Sequence, residues 1–232
     1  MEVTTLTVLA FVSGALMLLG YVLYIGGSLK RDIDPNPTTW LMFAYGTLLL
    51  TVLEAKSGAG WALLVVPATC AALSAVVALI LRRRGKLRFP TEWRERIMLI
   101  VDVGLTIGYV WVWTIGRTEL DEAMRNLLTV RFLIISNAST LVEFVPLLAS
   151  TRAEPYHERA LPWMVWATSY AVLGVATYLE DGLFTWLMLY PAMNFALHFL
   201  VGALALPQRR RRELDKLLNS GDTERLVKAA HF

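Results

Sequence analysis

Seven long apolar runs separated by short charged clusters limit what this chain can fold into. They are Leu6 to Ile25, Thr38 to Leu53, Trp61 to Leu81, Ile97 to Ile115, Leu127 to Ala149, Leu161 to Leu179 and Leu183 to Leu206. A hydrocarbon layer about 30 Å thick is crossed by roughly 20 helical residues; the second run is the shortest against that length. None of the runs alternates apolar with polar residues as a barrel strand would, so helices are the choice that satisfies every backbone group in lipid. The expectation is an all-α membrane protein with seven transmembrane helices. Composition agrees, with 56% hydrophobic residues, 18% charged residues and a mean hydropathy of +0.52.

The charges say which way such a chain would sit. Eighteen Lys and Arg fall at the ends of runs one, three, five and seven, among them Lys30, Arg31, the group from Arg82 to Arg96, and the tail from Arg209 to Lys228. Only Lys56, Arg117, Arg125 and Arg131 fall on the other side. This asymmetry predicts an N-terminus outside and a C-terminus in the cytoplasm. The net charge of +3 is then explained by topology and by anionic lipid on the cytoplasmic side, with no call for nucleic acid. Met1 to Thr5 lacks a positive segment, so the first run reads as a retained helix and not a cleaved signal. A single cysteine, Cys70, excludes a disulfide framework and a thiolate metal cluster, and no cofactor or metal site is expected.

The chain also repeats itself. Trp40, Ala44 and Tyr21 are answered 123 residues later by Trp163, Ala167 and Phe144. The polar, proline-bearing stretch Asp34-Pro35-Asn36-Pro37-Thr38-Thr39 before Trp40 is answered by the stretch from Glu154 to Pro162, and Trp61 and Pro67 by Trp186 and Pro191 at slightly larger offsets. The fourth run has no counterpart. Two parallel three-helix repeats joined by a linker helix follow, because an inserted helix lets both copies face the same way. The expected division is 1–84 for the first repeat, 85–118 for a basic linker and the fourth helix, 119–207 for the second repeat, and 208–232 for a basic, partly amphipathic tail.

This 3+1+3 order resembles the SWEET and PQ-loop transporters. The likeness rests on Pro146 in the first helix of a repeat, a polar turn, a Pro/Trp-led second helix, and Pro191 with Asn194 in the last. It is closer to bacterial seven-helix relatives with a Pro-x-Pro-x-[ST]-Trp turn, here Pro35 to Trp40, and a Tyr-Pro then Asn, here Tyr190, Pro191 and Asn194. The first repeat has Leu23 where the second has Pro146, and Cys70 where the second has Asn194. The resemblance implies a bacterial inner-membrane carrier of a sugar or other small polar solute. It implies that Asn194 lines the pocket and that the linker helix, with Asp102, stands aside from it.

Polar groups inside the runs are the candidates for function, since a charge at mid-bilayer costs about 2.5 to 3.5 kcal/mol on insertion scales. Ser136, Thr140 and Glu143 share one helix face, with Asn137 beside them and Pro146 a turn later as a hinge. Asn194 and His198 share a face after Pro191, and Cys70 and Ser74 occupy the matching places in the first repeat. Trp166, Tyr170 and Tyr45 are candidates to stack on a solute. The expected solute-binding set is Asn194, His198, Cys70, Ser74, Asn137, Trp166 and Tyr170; Glu143, Pro146, Pro191 and Asp102 are the coupling and gating set. Trp40 is expected at the cytoplasmic interface, Glu54 and Glu180 as solvated carboxylates at the outer helix ends, and His157, Glu158 and Arg159 as solvated charge in a turn. A ligand-sensing receptor or interaction protein stays open as the alternative, as does a homo-oligomer. A retinal protein is excluded because the last run has no lysine, and no metalloprotease, nucleophile-elbow or nucleotide-loop motif points to an enzyme.

Overall fold

Each apolar run becomes a helix, and two of the helix starts are set by polar side chains just ahead of them. A computed structural model describes residues 3–30, 32–33, 35–86, 93–114, 116–154, 158–183 and 185–206. The long helices are α1 (Val3–Leu29), α2 (Pro37–Lys56), α3 (Trp61–Arg83) and α4 (Trp93–Thr114). The four-residue α5 (Gly116–Glu119) follows, then α6 (Glu122–Ala153), α7 (Ala160–Asp181) and, after a 3₁₀ turn at Trp186–Met188, α8 (Leu189–Ala205). No strand occurs among the described residues. The expected tail at 208–232, the linker from 87 to 92 and His157 lie outside them.

Asn36 caps α2 by accepting from the N–H groups of Thr38 and Thr39, while Pro37 opens the helix where no N–H is needed. Asp121 caps α6 through the N–H of Met124 at 2.7 Å. Gly182 ends α7 at φ +85°, a backbone setting that glycine adopts without a Cβ clash. Pro67 and Pro146 lie inside α3 and α6, which run through them. Pro191 differs: α8 begins only at Leu189, so this proline sits in a first turn where a missing N–H breaks no helical bond. Any bend there belongs to the junction of 3₁₀ and α-helix, not to a mid-span hinge.

Six of these helices, α1, α2, α3, α6, α7 and the Trp186–Ala205 stretch, are long and apolar enough to cross a membrane. By length and composition the chain is an integral membrane protein. The apolar part of α4 is shorter, Leu99–Thr114, because Arg94, Glu95 and Arg96 occupy its first turn. Large apolar side chains point outward, including Phe11, Leu19, Ile100, Ile107 and Phe199, while serines, threonines and carboxylates are buried. That inversion suits a lipid surround.

Packing follows a simple order. Helix α3 lies against both α1 and α2, and α8 lies against both α6 and α7. The two groups meet along α1 with α7 and along α2 with α6, and α4 leans on α6. Glycines make one of these approaches close: Gly20 of α1 sits directly under the indole of Trp166 on α7. At one end of the bundle Arg84 donates to the Ser28 carbonyl at 3.0 Å and Arg159 pairs with Asp32 at 2.7 Å. At the other end the Lys56 ammonium stands 4.6 Å from the Trp113 ring centre, and Glu180 packs on Gly60.

Candidate functional site

Where the two helix groups meet, they leave a cleft with about 350 Å³ between atoms, partly open to solvent, and room at its centre for about one water molecule. Helices α1, α2 and α3 supply Met17, Tyr21, Trp40, Phe43, Thr47 and Cys70; α6, α7 and α8 supply Thr140, Phe144, Trp163, Trp166, Tyr170 and Asn194, together with Glu143 and His198. The walls pair up in sequence. Met17 and Thr140, Tyr21 and Phe144, Trp40 and Trp163, Phe43 and Trp166, and Thr47 and Tyr170 are all 123 residues apart, and Cys70 and Asn194 are 124 apart. Two lining residues break the pairing, because Glu143 matches Gly20 and His198 matches Ser74.

Aromatic rings form most of the wall. Tyr21 lies 4.9 Å from Trp166, Trp163 lies 4.9 Å from Trp166, and Phe43 lies 4.8 Å from Phe144, measured between ring centres. Their polar tips are tied down. Trp166 donates to the Met17 carbonyl at 3.2 Å, and Trp163 donates to Glu158 at 2.8 Å. Tyr24 donates to the other oxygen of Glu158 at 3.1 Å and accepts from Trp40 at 3.2 Å. A buried indole N–H or phenol needs such a partner.

A second polar chain runs toward the Lys56 end. The Tyr21 hydroxyl contacts Ser74 Oγ at 2.6 Å and Cys70 Sγ at 3.2 Å, Tyr170 donates to Cys70 Sγ at 3.8 Å, and Tyr170 meets Tyr190 at 3.2 Å. Beyond Tyr190 lies a smaller space of about 190 Å³ lined by Glu54, Leu63, Leu173, Thr177, Leu187, Tyr190 and Pro191. The Tyr170–Tyr190 pair is the wall between the two spaces.

Asn194 donates to the Tyr190 carbonyl at 3.0 Å, one turn back on its own helix. His198 places Nδ1 2.7 Å from the Asn194 carbonyl, with the rings of Phe144, Trp163, Trp166 and Tyr170 around it. Glu143 is 2% exposed, packs against Gly46 of α2, and has an Oε1 without a hydrogen-bond partner. Its carboxyl is also within reach of Asp102 on α4, whose Oδ1 accepts from Ser139 at 3.2 Å. No Lys or Arg is among the residues that line the cleft.

Comparison with protein-family models, with curated proteins and with solved structures finds no match in any of the three. The geometry alone therefore carries the functional reading.

Of the residues singled out in the sequence, Asn194, His198, Cys70, Trp166, Tyr170 and Glu143 line one space. Ser74 supports it from behind through Tyr21, while Asn137 donates to the Leu133 carbonyl of its own helix at 3.0 Å and does not reach the cleft. Tyr45 turns instead to α4, where its hydroxyl meets Thr106. Asp102, expected to stand aside, backs Glu143. Three expectations are corrected. Trp40 is 2% exposed in the cleft wall, where Tyr24 takes its N–H, and faces the interior instead of the surroundings. Glu54 is 3% exposed because α3, α7 and the 3₁₀ turn close over it. Glu158 is 4% exposed because two aromatic donors need its oxygens. The repeat carried a signal for Glu54: 123 residues on is Thr177, inside a run and lining the same small space.

Proposed function

We propose that the chain is a small-solute membrane carrier in which residues 1–84 and 119–207 are two parallel three-helix repeats that rock about the central cleft. The observation that carries this is the cleft itself, walled by matching positions of the two halves. A site at a repeat interface, near mid-depth of the spans, is what alternating access requires, because each half can swing while the site stays between them. The helix order supports the repeat: in each group the third helix packs between the first two, and the cross-contacts α1–α7 and α2–α6 are the same contact seen from the two halves. The linker helix α4 leans on α6 and delivers Asp102 to Glu143, which makes Glu143 the group through which a pH gradient acts. The basic ends of α1, α3, α6 and α8 put the Asp32 end in the cytoplasm.

The test is uptake of labelled sugars, amino acids and vitamins into liposomes holding the purified protein, with and without a pH gradient. A solute should enter with the wild type, fail to enter with Asn194→Ala, and lose its pH dependence with Glu143→Gln. No uptake across the panel by folded protein would move the reading to a ligand-sensing receptor.

A further inference from the structure

The cleft holds an acid without a basic partner. Glu143 is buried at a position where the other half has glycine, its Oε1 has no partner, and no Lys or Arg is among the residues that line the cleft with it. Asp102 beside it has an Oδ2 in the same condition. An ionised carboxylate is costly in a low-dielectric surround, so the acid keeps a proton until a counter-charge enters to replace it. The remaining walls are aromatic faces, chiefly Trp40, Trp163, Trp166, Tyr21 and Phe43, whose π-electrons attract cations at up to about 6 Å from a ring centre.

We infer that the central cleft takes a small organic cation, a protonated amine or a quaternary ammonium, with Glu143 as its counter-charge and the indole and phenol faces as its cage. This rests on the carrier reading and names its solute class. A neutral polyol would bring no counter-charge to Glu143, and most polar tips in the wall are already tied within the protein, Thr47, Thr140 and Asn194 to carbonyls of their own helices, Tyr21 to Ser74 and Tyr170 to Tyr190. The present opening admits about one water, so loading requires the halves to part. A proton competes for the same carboxylate. The titratable groups around it are Asp102 on α4, His198 on α8, Cys70 on α3, Tyr21 on α1 and Tyr170 on α7, while α2 offers it Gly46 and Thr47 and turns the Tyr45 hydroxyl to Thr106 and the Asp102 carbonyl.

The test uses purified full-length protein in detergent or nanodiscs and follows tryptophan fluorescence and thermal stability. The probes are methylammonium, trimethylammonium and choline, against 3,3-dimethylbutan-1-ol, which has the shape of choline without its charge. At least one cation should bind about tenfold or more tightly than the neutral isostere, and Glu143→Gln should narrow that difference, leaving only what the aromatic faces supply. An isostere that binds wild-type protein as well as every cation overturns the proposal, and so does absence of binding by all three cations. Liposome uptake separates the two readings. Entry of a neutral solute without cation binding sinks the cation class and leaves the carrier standing, whereas cation binding with no flux of any solute supports the site and sinks the carrier.

Discussion

At Gly20 of α1 the indole of Trp166 occupies the space where a side chain would be; at Glu143 of α6, 123 residues on, a carboxyl reaches across to Gly46 of α2. The α1–α7 seam is closed by a ring in a glycine notch and by two hydrogen bonds, Ser169 to the Ser13 carbonyl at 2.7 Å and Trp166 to the Met17 carbonyl at 3.2 Å. The α2–α6 seam is held by the Phe43–Phe144 ring contact and by an acid that has no basic partner. One seam depends on packing that does not change with conditions. The other is closed over an acid whose proton can be lost or replaced. The α2–α6 seam is therefore the one expected to loosen first when the cleft loads, with the Gly20–Trp166 contact midway along α1–α7 as the pivot about which the two ends of the bundle move.

That difference can be attacked from the tight side first. Trp166→Ala removes the ring from the notch and should lower stability by about 3 to 5 kcal/mol, read by thermal unfolding in detergent. Gly20→Val fills the notch from the other side and should cost about 1 to 3 kcal/mol through overpacking. Gly26→Ala on the same helix, where nothing lies within 4 Å of an added Cβ, should show no loss. Equal losses at the two glycines would mean that the Trp166 contact is not what closes the seam. Ser169→Ala, which removes one inter-helix hydrogen bond, should cost about 1 kcal/mol. The smallest effect belongs to the exposed Asp32–Arg159 pair, whose side chains are 38% and 44% exposed. Asp32→Asn should change stability by about 0 to 1 kcal/mol and less still in high salt.

Much of the architecture was legible because lipid allows few solutions. Run length gave the helices, Asn36 and Pro37 gave the start of α2, and the 123-residue offset of Trp40 and Trp163 pointed to the pair of residues that face the cleft together. What the sequence did not reveal lies in which neighbour a polar group finds. Glu54 and Glu158 sit beside turns, where a carboxylate is ordinarily solvated; only the closing of α3 and α7 over one, and the indole of Trp163 beside the other, explains their burial. Asn137 looked equivalent to its polar neighbours, yet its place on α6 turns it to its own backbone. Asp102 lies on the linker helix, and its contact with Ser139 follows only from the way α4 leans on α6.

The most direct test of the central claim, that the two halves move against each other, is a pair of spin-label distances across the two ends of the bundle in lipid. One pair uses Asp32→Cys with Arg159→Cys and the other Ala59→Cys with Glu180→Cys, both with Cys70→Ser. Alternating access predicts two distances at each end, with solute or a pH change lengthening one end as it shortens the other. A single distance at both ends, unchanged by either, would contradict it.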